Sequence, residues 1–117
     1  MDIQDLAIID IGSNSVKLVL VEVKNNGQPS FKIIDELKET VRLGAGMDTY
    51  SSIRKDRMEA GIKTLKMFKN LCDATEANTI LPVATAAVRE ADNQQEFLDR
   101  VQQEAGLKPE VLSGAEE

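Results

Sequence analysis

Apolar positions along the chain follow two periods, and the change from one to the other divides it. From Ala7 to Val21 two apolar runs, Ala7-Ile8-Ile9-Asp10-Ile11 and Val16-Lys17-Leu18-Val19-Leu20-Val21, flank the polar turn Gly12-Ser13-Asn14-Ser15. This is the pattern of two strands joined by a tight reversal. Asn25-Asn26-Gly27 signals a second reversal, and Phe31 to Leu43 reads as a third strand. Its outer half, Ile33-Ile34 and Leu37 mixed with charges, suits a strand toward a sheet edge. From Ser52 or Arg54 to Asp73 the period lengthens: Met58, Ile62, Leu65, Phe68 and Cys72 recur every three or four residues, predicting an amphipathic helix packed on the sheet. Gly61 lies on its inner side, where a cost of about 1 kcal/mol relative to Ala is offset if the helix approaches a strand closely.

Thr79 to Ala84 predicts a short strand, with Pro82 marking an unpaired position or the strand's exit. Ala86 to Ala91 reads as one helical turn. Asn93 and Glu96 have the spacing of a capping box ahead of a second helix, whose inner face carries Phe97, Leu98, Val101 and Ala105 and which Gly106 closes. Val111 and Leu112 predict a last short strand. The order βββαβαβ, a meander followed by crossovers, predicts an α/β fold with a mixed sheet, antiparallel first and parallel later. Ligands are then expected where the connection pattern changes. The loop Leu43-Gly44-Ala45-Gly46-Met47-Asp48 lacks the third glycine of a dinucleotide fingerprint and reads as a connection.

Composition narrows the chemistry. The 117 residues suit one domain, 1–117. The net charge of −6 and the lack of a basic run with interleaved aromatics argue against nucleic-acid or anionic-membrane binding, so any polyanion must be held locally. The absence of His excludes Ser-His-Asp and Cys-His mechanisms and a His-ligated zinc within this chain, leaving acid–base work to carboxylates. Cys72, the single cysteine, falls on the helix's apolar side and reads as a buried hydrophobe. No leader-like segment opens the sequence and no apolar run nears the roughly 20 residues of a membrane span, so a cytoplasmic location is expected.

The turn at Gly12 to Ser15 offers backbone N–H groups, two hydroxyls and an amide, a donor set suited to a phosphate oxygen. Asp10 at the end of the first strand would repel such an anion unless a cation lay between them, which implies Mg²⁺ held partly through water. A structural hairpin whose Asp caps the turn explains this stretch alone equally well. Arg89, just beyond an apolar strand, reads either as a solvated charge or as a fork for phosphate. The ending Ser113-Gly114-Ala115-Glu116-Glu117 looks catalytic, with no helix after it to cover the sheet, so the chain reads as part of something longer.

Asp10-Ile11-Gly12-Ser13-Asn14-Ser15-Val16-Lys17-Leu18, Ala84-Thr85-Ala86-Ala87-Val88-Arg89-Glu90-Ala91 and Ser113-Gly114-Ala115-Glu116-Glu117 resemble, in order and spacing, the exopolyphosphatase and guanosine pentaphosphate phosphohydrolase family. The resemblance implies the actin-like ATPase fold, with this chain as most of a ribonuclease H-like N-terminal lobe. It implies Mg²⁺-assisted hydrolysis of the terminal phosphate of inorganic polyphosphate or guanosine pentaphosphate. Gly12, Ser13, Asn14 and Ser15 become the phosphate loop, Asp10 a helper of the metal, Arg89 a clamp on substrate phosphate, and Glu117 the base that polarises the attacking water. A homodimeric parent is a further expectation. The family's second phosphate loop, of Asp-x-Gly-Gly-Gly-Ser type, has no counterpart in this sequence, so the chain alone is expected to be inactive. Two other readings stay open: an ATP-using kinase of the same superfamily, and a module that binds polyphosphate or an alarmone nucleotide without turning it over.

Overall fold

Alternation in the first two segments produces strands with one face in the core: Ala7, Ile9, Ile11, Val16 and Leu18 are buried, while Ile8, Asp10, Lys17 and Val19 between them are half-buried. The computed structural model describes residues 2–75, 77 and 79–115. It contains β1 (Asp2–Ile11), β2 (Ser15–Asn25), β3 (Pro29–Thr40), α1 (Lys55–Ala74), β4 (Thr79–Ala84), α2 (Ala86–Glu90), α3 (Gln94–Arg100) and β5 (Glu110–Val111), α3 running on into a π-helical turn, Val101–Ala105. The five strands form one sheet in the order β3-β2-β1-β4-β5. β1, β2 and β3 pair antiparallel, and β4 and β5 join parallel, as the meander-then-crossover order requires. Among the described residues no helix is long and apolar enough to cross a membrane.

The core lies between one sheet face and the helices, where Met58, Ile62, Leu65, Phe68 and Cys72 of α1 and Phe97 of α3 meet the inward residues of β1 and β2. Burial raises the Cys72 thiol above its ordinary pKa. Gly61 sits at the closest approach. A Cβ there would stand 3.1 Å from Leu43 Cδ2 and 3.5 Å from Phe97 Cε1, so the inner-side glycine answers to the segment just after β3 and to α3. Across the helix pair, Arg100 donates to both Glu59 of α1 and Glu104, and these bonds hold the two carboxyls below their usual range.

Several expectations are amended. The third strand stops at Thr40, because the backbone turns at Arg42 with φ 59°, although Val41 and Leu43 still enter the core. Its edge position is as predicted, all twelve residues being exposed. The turn at Ala86 is a helix separate from α3, so the order is βββαβααβ. Pro82 is a mid-strand residue level with Ile9 on β1, and only its β5-facing side is unpaired. Ala84 turns its carbonyl toward the β5 side, accepting from Leu112 N–H, and Pro82, two residues earlier, faces the same way before β5 pairing begins at Val83. The capping box does not form. Asn93 makes no cap bond; its amide instead accepts from Ile53 N–H and donates to Ile53 O, each at 2.9 Å, tying the loop before α1 to the start of α3.

Candidate functional site

The tip of the first hairpin is held by two neighbouring segments. Gly12 N–H donates to Ser15 O at 2.9 Å, and a Cβ on Gly12 would stand 3.0 Å from that same oxygen, which is why the turn needs glycine. On one side Ser13 O accepts from Gly44 N–H at 2.9 Å, and Asn14 O accepts from Val41 N–H at 3.2 Å and Arg42 N–H at 2.9 Å. On another, Ser13 Oγ accepts from the Ala87 N–H of α2 at 3.1 Å. With their carbonyls turned to the 41–44 segment, Ser13 and Asn14 are left exposed, and their N–H groups donate to no group among the described residues. Two adjacent amides without an acceptor among the described residues are donors an anion can use.

Asp10 stands one residue before the end of β1, level with Lys17 on β2 and Val83 on β4. It is half-buried, and its side chain has no hydrogen bond or ion pair among the described residues. The described residues contain no cluster of three or more His, Cys, Asp or Glu that could hold a metal ion. Asp10 alone fits Mg²⁺ nonetheless, since that ion keeps several waters and is bound through one or two carboxylates together with substrate phosphates.

Arg89 lies on α2, two residues beyond the amide that holds Ser13. Its Nη1 donates to Leu112 O at 3.0 Å and its Nη2 lies 3.9 Å from Glu90 Oε1. It therefore ties α2 to the segment that enters Ser113-Gly114-Ala115. That segment starts at the same sheet end, since Leu112 N–H donates to Ala84 O at 2.9 Å and Thr85 N–H donates to Ile11 O at 3.1 Å. Asp10, the Gly12 to Ser15 turn, α2 with Arg89 and the approach to the C-terminal motif thus meet at the C-terminal ends of the parallel strands β1 and β4, where α/β sheets bind ligands. Glu117 lies outside the described residues. Sequence reasoning missed the 41–44 segment as the loop's support. Its signal was the alternation of apolar Val41 and Leu43 around Arg42, read there as continuing strand.

A meander with parallel additions and a donor-rich first hairpin at their end is the α/β lobe of the actin-like ATPase fold. The chain belongs, more narrowly, to the Ppx/GppA phosphatase family, whose model matches residues 19–117. It is similar to the Aquifex aeolicus member of that family in its crystal structure, with 37% identity and a TM-score of 0.90 over 97% of this chain and 36% of that one. It is also similar to an exopolyphosphatase structure from Cytophaga hutchinsonii, with 30% identity and a TM-score of 0.87 over 96% of this chain and 35% of that one. Exopolyphosphatase 1 of Mycobacterium tuberculosis is 31% identical over 112 residues, 96% of this chain. The chain spans 32% of that relative's length.

Proposed function

We propose that this chain is the N-terminal phosphate-binding lobe of a phosphoanhydride hydrolase that removes the terminal phosphate of inorganic polyphosphate or guanosine pentaphosphate. The observation that carries this reading is the pair of Ser13 and Asn14 amides, which have no acceptor among the described residues, close in sequence to Asp10, whose side chain has no partner among them, at the parallel end of the sheet. Family membership and relatives named exopolyphosphatase support it.

In this reading the Ser13 and Asn14 N–H groups and the Ser15 hydroxyl bind phosphate oxygens, while Gly12 supplies the room for the turn. Arg89 adds a charge-assisted donor next to α2. Asp10 would hold Mg²⁺ together with water and substrate oxygen, and the bound ion would neutralise charge that develops on the phosphoryl group. Glu117 accepts a proton from the attacking water and orients it; phosphoryl transfer asks mainly for such positioning and charge stabilisation. In the full-length protein, Glu117→Gln is expected to lower turnover at least roughly a hundredfold with substrate affinity roughly kept, as loss of a general base does. Unchanged turnover would remove Glu117 from the mechanism. The 117-residue chain by itself is expected to release no phosphate from either substrate.

A further inference from the structure

Arg42 is the one non-glycine residue with positive φ among the described residues, at 59°. In that region most side chains crowd their own backbone. Its neighbours explain why the chain turns there: Val41 and Leu43 are both in the core, and the turn lets two consecutive N–H groups reach Asn14 O. They do not explain an arginine. Its side chain is exposed and makes no hydrogen bond or ion pair among the described residues. Asparagine or glycine would make the same turn with less strain, so a side chain that returns nothing to the fold points to a ligand.

The place of Arg42 says which ligand. Its N–H is bonded to Asn14 O at 2.9 Å, so its backbone abuts the turn whose Ser13 and Asn14 amides have no acceptor among the described residues. Arg42 and Arg89 come from the two segments that hold that turn, and Arg89 is already engaged with Leu112 O. In a chain of net charge −6, an arginine whose backbone is bonded to this turn, and whose exposed side chain has no partner among the described residues, offers a local positive charge to a polyanion. We propose that Arg42 is a second arginine of the phosphate site, gripping the phosphate next to the one seated on the Ser13 and Asn14 amides, and so favouring ligands with two or more linked phosphates. This rests on the turn being the phosphate site of the proposed hydrolase.

The test titrates the ¹⁵N-labelled chain with inorganic tripolyphosphate and with orthophosphate. In the wild type the Ser13 and Asn14 amides shift with both. Arg42→Asn, asparagine being at home in the left-handed region, melts at or above the wild type and yet binds tripolyphosphate roughly fivefold or more weakly, the loss expected for one charge-assisted phosphate contact. Its orthophosphate affinity changes less than about twofold on the same contact logic. Arg42→Lys, which keeps the charge and loses the fork, falls between. Lys32→Gln, which removes one charge from an exposed residue of β3, leaves tripolyphosphate binding as in the wild type. Equal tripolyphosphate affinity in Arg42→Asn and wild type overturns the role of Arg42 and leaves the phosphate turn standing. Ser13 and Asn14 amides that do not respond in the wild type overturn the phosphate turn and the proposal together.

Discussion

Asn93→Ser asks what holds the junction between the loop before α1 and the start of α3. The Asn93 amide makes two 2.9 Å bonds to the backbone of Ile53, a residue only 2% exposed, so water cannot readily replace either partner. A serine hydroxyl is too short to span both groups. Each lost neutral bond costs about 1 kcal/mol, and a shielded N–H or carbonyl left unsatisfied about 1–3 kcal/mol, so the substitution should cost about 2–4 kcal/mol in all. Asn93→Asp should cost a similar amount, because it keeps the acceptor for Ile53 N–H but sets a carboxylate oxygen against Ile53 O. A helix cap at this position would predict the opposite, since Asn, Asp and Ser are about equal there. Urea unfolding followed by circular dichroism reads the difference: with a slope of about 1–3 kcal/mol per molar, the midpoint falls by about 1 M or more at constant slope. A change of less than about 0.5 kcal/mol for Asn93→Ser would refute the bridging role and restore the cap.

Gly61→Ala should destabilise the protein by about 1 kcal/mol although it improves helix propensity, because its Cβ would meet Leu43 Cδ2 at 3.1 Å and Phe97 Cε1 at 3.5 Å in a fully buried contact. A raised melting temperature would show that the contact yields. Arg100→Met tests the surface network: Glu59 and Glu104 are held below the ordinary value of 4.5, chiefly by their bonds to Arg100. Carboxyls with lowered folded pKa stabilise above their unfolded value and lose that effect as pH falls through the folded one. The melting difference between wild type and variant should therefore be largest near neutrality and shrink below pH 4.5, and a difference constant into acid would contradict it. Cys72, 1% exposed and with its thiol raised by burial, should react with a disulfide reagent only as fast as the chain unfolds. Rapid labelling of the native protein would contradict that burial.

Much of the architecture was legible because burial enforces periods. Ala7, Ile9 and Ile11 announce a strand, Met58 to Cys72 a helix, and Ile33-Ile34 with Leu37 among charges an edge. The helix's inner glycine was legible too, since Gly61 is costly unless something comes close. Features that depend on long-range partners were not. Asn93-x-x-Glu96 has a cap's spacing, but whether the amide bonds locally or forty residues away depends on tertiary packing. The turn at Arg42 carries no glycine signal, and only the pull of Asn14 O on two consecutive N–H groups reveals it. Pro82 admitted two readings until the facing of Ala84 toward β5 chose between them. For the site, the donor-rich turn and Asp10 could be read from residue types, whereas the support that frees the Ser13 and Asn14 amides lies in segment 41–44.

The central claim, that the first hairpin tip and Asp10 form a phosphate site assisted by a divalent cation, is tested most directly by titrating the labelled chain with tripolyphosphate with and without Mg²⁺, in the wild type and in Asp10→Asn. The expected result is a shift of the Ser13 and Asn14 amides in both proteins, with Mg²⁺ tightening binding in the wild type and not in Asp10→Asn. Shifts confined to residues away from the hairpin tip, or an Asp10→Asn protein that responds to Mg²⁺ as the wild type does, would contradict it.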